Sequence, residues 1–259
     1  MSQYFRCLLA EFKKRNRSLF LLLHLVIPLV LSGIWMTYIS ARKDLVNPQF
    51  IYVTFFELLA IGTPLIISII CGMVSDSEDE AGNFQNMLGV TKKKTVTFIS
   101  QISMMILSYF FAILLAISTY TLALKYLVGV DEINFALYFL NGLIFTMCSI
   151  FLYFFYQVIG YKYGMGMCSI GGFAGLIIAA LSITSIGDKV WIFLPWAWPN
   201  RFSLYLFGQL ENHQSTITDN YTNSTIVLNG CIILFIFTVI IIIISIFWFK
   251  NWYGRKAND

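Results

Sequence analysis

Residues 75–94 read SDSEDEAGNFQNMLGVTKKK, and this charged stretch lies between two long apolar runs. Ser75 and Ser77 each precede a glutamate by three positions, the spacing of a capping box, in which a hydroxyl and a carboxylate bind the free backbone amides of a helix start. Acids crowd the beginning and lysines follow the end, as the helix macrodipole favours, and Gly89 is placed to end the helix. The stretch predicts a short charged helix with one apolar face at helical spacing: Ala81, Phe84, Met87 and Leu88.

The composition indicates the class of protein around this stretch. Of 259 residues, 58% are hydrophobic and 12% charged, whereas soluble domains are about half apolar and a quarter charged. Six runs reach or approach the roughly 20 apolar residues that cross a bilayer. We therefore expect an all-α integral membrane protein, with residues 1–259 forming a single transmembrane domain. The predicted spans are 19–39, 50–73, 96–124, 135–159, 165–186 and 228–249.

The basic residues predict which side of the membrane each loop faces. Lys and Arg are enriched in the cytoplasmic loops of membrane proteins. Six spans put both termini on one side, and that side, with the 75–95 loop and the 160–164 turn, holds twelve of the seventeen basic residues. The sequence thus predicts that both termini and the charged helix are cytoplasmic.

Segment 1–18 precedes the first span and has two different faces. Apolar side chains recur at helical spacing with basic side chains opposite them: Tyr4, Phe5, Leu8, Leu9 and Phe12 against Arg6, Lys13 and Lys14. This pattern is typical of an amphipathic helix that lies in the inner membrane interface. The alternative is a basic flank that only satisfies the preference for positive charge in the cytoplasm.

The largest predicted outer segment, 187–227, begins with aromatic residues and helix breakers, in the order WIFLPWAWPNR over 191–201. Its marked residues are Trp191, Trp196, Trp198 and Arg201. Because Trp and Tyr concentrate where a membrane meets water, we expect this part of the loop to lie at, or dip into, the outer headgroup layer as a re-entrant-like segment before the sixth span.

Two ionisable residues fall inside predicted spans. Glu57 lies roughly seven residues from the outer end of the second span, at a depth of about 10 Å, and His24 lies in the first span. An ionisable group within a membrane marks a functional site by default. Both are candidates for an intramembrane polar site; the alternative is that each only forms a hydrogen bond with a neighbouring helix.

Small residues recur four apart on the fifth span, at Gly171, Gly175 and Ala179. Such spacing lets two helices approach closely in lipid. The close contact could join two subunits or pack helices within one.

No catalytic or cofactor motif is present. Residues 89–95 are rich in lysine but lack the second glycine of a phosphate-binding loop. Neither HExxH nor GxSxG occurs, and the five cysteines form no CxxC pair. We expect no catalysis, no bound cofactor or metal, and no nucleic-acid partner.

The order of these parts resembles the membrane subunit of a type-2 ABC exporter over essentially the whole chain. Residues 80–88, EAGNFQNML, are similar to the acidic-glycine-apolar signature that enters that family's coupling helix. Residues 191–201 are similar to the segment before the last span of lantibiotic-immunity permeases of the mutacin and epidermin type. Many type-2 permeases carry proline and arginine after the coupling-helix leucines, whereas VTK follows here at 90–92, which favours the immunity branch over drug or polysaccharide exporters.

The resemblance implies a division of labour between chains. A separate cytoplasmic ATPase dimer would bind ATP and Mg²⁺ and push on the coupling helices of two related permease subunits, a heterodimer, in the bacterial plasma membrane. The pair would expel a lantibiotic or related antimicrobial peptide. An apolar stripe would fill a groove on the ATPase, and two glutamates would set the register. The implied coupling residues are Glu78, Glu80, Ala81, Gly82, Phe84, Gln85 and Leu88. The alternatives are an ABC permease for another hydrophobic cargo, such as a drug or lipid, and a membrane protein that sequesters a peptide without ATP.

Overall fold

The computed structural model describes residues 3–16, 18–42, 47–89, 93–130, 133–210 and 224–255, and all regular structure within them is helical. The α-helices of these ranges are α1 (Gln3–Arg15), α2 (Leu19–Ala41), α3 (Pro48–Glu80), α4 (Gln85–Gly89), α5 (Lys94–Ala123), α6 (Phe135–Tyr163), α7 (Met165–Ser182), α8 (Trp198–Leu210) and α9 (Ser224–Lys250). A π-helical turn, Leu124–Val128, extends α5, and two 3₁₀ turns, Gly187–Lys189 and Trp191–Phe193, precede α8.

Six of the described helices are long and apolar enough to cross a membrane: α2, α3, α5, α6, α7 and α9. They coincide with the six predicted spans, so the number and order of these segments are confirmed. The largest difference is in α3. Its 33 residues rise about 50 Å, whereas the hydrocarbon core of a bilayer is about 30 Å thick. The helix therefore continues well beyond the apolar run that predicted it.

The prediction of a separate helix capped at Ser75 or Ser77 is wrong. Both residues lie inside α3, and their hydroxyls donate to the carbonyls of Cys71 and Val74, each at 2.8 Å. Because the apolar run has already formed the helix, the amides of this stretch have helical partners and need no cap. α3 ends at Glu80, and a four-residue turn leads into the five-residue α4.

α4 includes Gly89 as its last residue, so this glycine does not follow the helix as predicted. Residues 90–92 of the predicted 75–95 loop lie outside the described part of the chain. The predicted charged helix is thus divided between the end of α3, the turn and α4.

α3 is the central helix of the bundle. It packs along α6 and α7, while α5 packs against α6 and α2, and α1 lies across α5. The closest approach is made by small residues of α7: a Cβ added to Gly175 would lie 2.5 Å from the Tyr156 hydroxyl of α6, and one added to Gly172 would overlap Ser68 of α3. Ala179 is buried as well. Gly175 and Ala179 of the predicted small-residue face thus pack against helices of the same chain.

The two described ends of the chain meet at one end of the bundle. Arg15 at the end of α1 pairs with Glu78, and Arg255 beyond α9 pairs with Asp76, two residues earlier on α3. We call this the α1 end. The turns after α7, together with α8, lie at the opposite end, which we call the α8 end.

Candidate functional site

A four-residue turn joins α3 to α4 at the α1 end. Three of its residues have positive φ: Gly82 at 131°, Asn83 at 49° and Phe84 at 64°. The first value suits only glycine, and left-handed backbone is uncommon for a bulky aromatic residue. The amides of Asn83 and Phe84 donate to the carbonyls of Asp79 and Glu78, at 2.6 and 3.1 Å. The turn thus caps α3 with its own backbone.

Acidic side chains occupy the last turns of α3, where the negative end of the helix dipole disfavours them. They are Asp76, Glu78, Asp79 and Glu80. Glu78 is 3% exposed, and its carboxylate accepts from Arg15 at 2.6 Å and from Lys14 at 2.7 Å. Arg15 also donates to the Ser77 hydroxyl. Cations of α1 therefore compensate the charge at this helix end.

Gln101 of α5 connects this ion pair to further helices. Its amide nitrogen lies 3.2 Å from a Glu11 oxygen and 3.3 Å from a Glu78 oxygen. Its amide oxygen accepts from the Tyr161 hydroxyl and from the Gln157 amide. A buried amide without partners is costly, so these bonds hold α1, α3, α5 and α6 together. We call the set the polar network: Glu11, Lys14, Arg15, Glu78, Gln101, Gln157 and Tyr161.

Arg255 makes a second link, between the C-terminal residues and α3. Its guanidinium pairs with Asp79 at 2.7 Å and with Asp76 at 3.0 Å, and it donates to the Gly160 carbonyl at 2.9 Å. The guanidinium carbon also lies 5.5 Å from the centroid of the Phe84 ring, within cation–π range. The Arg255 guanidinium therefore joins the C-terminal residues to α3, to α6 and to the turn.

Phe84 lies inside this link and has no exposed surface. Its ring centroid is 4.7 Å from that of Trp252 and 5.5 Å from that of Tyr161, both edge to face. The prediction that Phe84 fills a groove on another protein is therefore wrong for this structure, because its own chain covers the ring. The prediction that Glu78 sets the register with a partner is wrong for the same reason: its carboxylate is buried in the polar network.

The exposed part of the turn is small and polar. Glu80, Ala81, Gly82 and Gln85 are exposed, and Leu88 is partly buried. Four of the seven predicted coupling residues are thus accessible, but they do not form an apolar stripe.

α1 turns its apolar side away from the bundle. Phe5 and Leu9 are 52% and 56% exposed, while Cys7, Glu11 and Arg15 are buried against the other helices. The helix predicted in segment 1–18 is present as Gln3–Arg15. Burial, with a smaller contribution from the Glu11 carboxylate, raises the pKa of the Cys7 thiol.

The aromatic residues before α8 pack inside the protein. Trp191 and Trp198 are 5% and 0% exposed, so protein rather than lipid surrounds both rings, and the predicted depth of this re-entrant-like segment in the outer headgroup layer stays a prediction. Trp196 is partly buried, and its indole donates to the Tyr156 hydroxyl at 2.9 Å. Since Tyr156 lies well inside α6, the segment folds back between the helices. Residues 211–223 of the predicted outer loop lie outside the described chain.

Arg201 of α8 is buried beside the last turn of α7. It pairs with Asp188 at 2.8 Å and donates to the Ser182 carbonyl, a favourable position for a cation at a helix C-terminus. Glu57 of α3 is half-buried and within electrostatic range of Arg201. The ion pair with Asp188 is thus the contact that fixes the Arg201 guanidinium in this structure.

His24 lies on α2 towards the α1 end, far along the bundle from Glu57. Its Nδ1 donates to the Phe20 carbonyl at 2.7 Å, and the two rings are 4.2 Å apart. It borders a cavity of about 40 Å³ between α2, α3 and α5. The two predicted intramembrane residues do not form one site.

The sequence reasoning missed the residues that complete the α1 end. Gln101 and Gln157 are amides within apolar runs, a signal that could have revealed them, because an amide in hydrocarbon needs a partner. Trp252 and Arg255 gave no such signal. They follow the last apolar run by only a few residues and read as an ordinary basic, aromatic flank.

Comparisons with known proteins leave the family of this chain open. A scan against protein-family models finds no match, and a search of curated proteins finds none either.

Proposed function

We propose that this chain is a membrane-spanning permease subunit of a type-2 ABC exporter that removes a lantibiotic or related antimicrobial peptide from the bacterial plasma membrane. The proposal rests on the arrangement of exposed and buried residues at the turn after α3. The turn offers a small polar surface, and the residues directly beneath that surface are bonded to α1, α5, α6 and the C-terminal residues. A cytoplasmic ATPase that moves this turn would move five parts of the bundle at once.

The exposed and buried residues around the turn support such a role. The turn residues Ala81 and Gly82 and their neighbours Glu80 and Gln85 are exposed and can contact a partner. Phe84 and Glu78 anchor the turn beneath this surface. Densely packed groups switch between discrete arrangements rather than deforming continuously. A displacement of the turn is therefore passed to the buried anchors. The division of roles differs from the one implied by the resemblance: exposed residues bind the ATPase, and buried residues transmit the motion.

The distribution of basic residues supports one membrane orientation in this proposal. The α1 end carries Lys and Arg residues of α1, of the last turn of α6 and of the C-terminal residues, so it faces the cytoplasm in this proposal. The exposed apolar residues of α1 then enter the inner interface, parallel to the membrane. Both termini are cytoplasmic, and ATP with Mg²⁺ is bound by the ATPase dimer, not by this chain.

The cargo assignment rests on the resemblance of residues 191–201 to immunity permeases. Arg201 and the buried tryptophans hold this segment between the helices at the α8 end, which is the outer side in this proposal. Glu57 of α3 is half-buried, and its carboxylate is suited to hold a cationic group of such a peptide. A second, related permease subunit completes the path.

The test uses the exposed turn. A Glu80→Arg/Gln85→Glu variant reverses the charge pattern of the surface and leaves the buried anchors intact. We expect it to lose both co-purification of the ATPase and protection against lantibiotics, at normal membrane levels. Lys162→Glu, an exposed charge change at the same end, is the matched control and should keep both.

The outcomes separate the alternatives. If the turn variant keeps ATPase binding and protection, the coupling proposal is wrong. If the ATPase binds but deletion of the gene leaves sensitivity to a lantibiotic panel unchanged, the cargo is a different hydrophobic molecule. Protection by this chain without any ATPase would indicate peptide sequestration.

A further inference from the structure

A cleft of about 420 Å³ opens between α1, α2 and α5 near the α1 end. One side is polar and formed by the end of α1, with Lys13, Arg15 and Asn16. The other side is apolar and includes Phe12 of α1 with Phe20 and Leu21 of α2. The cleft thus has the two-part lining that an amphiphile requires.

The polar side carries uncompensated positive charge. The acids closest to it, Glu11 and Glu78, already bind Lys14 and Arg15. Lys13 is exposed and has no ion-pair or hydrogen-bond partner for its ammonium among the described residues. Arg15 is 9% exposed, and its Nε lacks a hydrogen-bond partner in the described structure although both terminal nitrogens are engaged. Lys13 therefore supplies the accessible, unpaired positive charge that favours an anion here.

The apolar side runs in the direction of the spans. The cleft extends to Ser108 of α5, seven residues beyond Gln101 of the polar network, or about 10 Å along the helix. Leu21, at 44% exposed, and Phe12, at 37%, leave this side open to the surroundings of the bundle. A ligand with its charge at Lys13 would lay an apolar chain along this wall.

We propose that this cleft binds the phosphate of an anionic phospholipid, with the first part of one acyl chain against Phe12 and Leu21. Free phosphate would satisfy Lys13 but would leave the apolar wall unfilled, so the lipid is the better match. The site depends on neither the cargo nor an ATPase. Since Arg15 also binds Glu78 and Ser77, the lipid would sit next to the contact that holds α1 on α3.

The experiment measures lipid retention by the full-length chain. The protein is purified in detergent with equal amounts of phosphatidylglycerol and phosphatidylcholine, and bound lipids are counted by native mass spectrometry. We expect Lys13→Gln to weaken phosphatidylglycerol retention about fivefold, the effect of one lysine near an anionic surface. Lys13→Arg should restore it. Lys162→Gln, an exposed lysine of the same end, is the matched control and should not change it.

Each other outcome would overturn the proposal. Equal losses for the two glutamine variants would mean that the lipid is held by general surface charge. Equal retention of phosphatidylcholine would show that the phosphate of an anionic lipid is not selected. Displacement of the lipid by millimolar inorganic phosphate would show a simple anion site without a role for the apolar wall.

Discussion

Glu78→Gln tests whether a buried ion pair holds α1 on the bundle. Glu78 accepts from Arg15 at 2.6 Å and from Lys14 at 2.7 and 2.9 Å. The Lys14 side chain is 41% exposed. Because water screens its interaction with Glu78, that interaction contributes less than about 1 kcal/mol to the free energy of unfolding. The Arg15 side chain is 10% exposed, and removing its carboxylate leaves a buried cation, which costs about 3–5 kcal/mol.

Two effects reduce that cost. Removing an acid from the end of α3 relieves its conflict with the helix dipole by about 0.3–1 kcal/mol, and Glu11, one turn before Arg15 on α1, can take over part of the pairing. The cost of leaving Arg15 buried without its carboxylate still exceeds both effects, so we expect a loss of about 3 kcal/mol. Asp76→Asn is the control, because it makes the same change from acid to amide on the same helix. The side chains of the Asp76–Arg255 pair are 35% and 24% exposed, so this pair should contribute only about 0–1 kcal/mol to the free energy of unfolding.

The assay is unfolding by SDS in mixed micelles, followed by tryptophan fluorescence, which yields a free energy of unfolding for each variant. Arg15→Met/Glu78→Leu removes both charges and should lose less stability than Glu78→Gln alone, because no unpaired charge remains. If Glu78→Gln costs no more than Asp76→Asn, or if Arg15→Met/Glu78→Leu loses as much stability as Glu78→Gln alone, the ion pair is not what fixes α1 on the bundle.

Three further predictions concern other contacts. Phe84→Ala should lower the free energy of unfolding by about 3 kcal/mol, since a large buried ring is lost, and the same SDS titration would contradict us if the loss stayed below about 1 kcal/mol. Gly175→Val should cost about 1–3 kcal/mol and release Trp196 from Tyr156, seen as a shift in tryptophan emission, whereas Gly166→Ala, with open space around it, should not destabilise; equal effects would refute the close contact. Burial raises the pKa of the Cys7 thiol, so Cys7 should react with maleimide more slowly in the folded than in the SDS-unfolded protein. Its rate should increase as the pH rises, because only the thiolate attacks. Equal rates for the folded and the unfolded protein at every pH would contradict the burial of Cys7.

The spans could be predicted from the sequence because their signal is local and long. Each needs about 20 apolar residues, and no distant contact can change that requirement. The small-residue face of α7 was also visible, but whether it packs inside one subunit depended on Ser68 and Tyr156 of other helices. The spacing of small residues along α7 does not indicate which side chains of other helices lie against them.

The end of α3 was misread for a physical reason. A serine three residues before a glutamate describes a helix start only where the preceding residues are not already helical. Here the apolar run up to Met73 has nucleated the helix, and adding residues to an existing helix is far easier than starting a new one. The burial of Phe84 was equally hidden, because Trp252 and Arg255 come from more than 160 positions further along the chain.

The acids at the end of α3 explain why the capping-box prediction is wrong, and they also bear on the proposed function. Local rules place acids at helix starts, and a cluster at a helix end is stable only with cations from elsewhere. Those cations come from α1, through Lys14 and Arg15, and from the C-terminal residues, through Arg255. The helix end, α1 and the C-terminal residues therefore stabilise one another, so that moving the turn away from the bundle would expose uncompensated charge on all three. A conflict between local preference and structure is typical of functional sites. In this chain the conflict lies at the end of α3, beside the turn that the ATPase would contact in the proposed function.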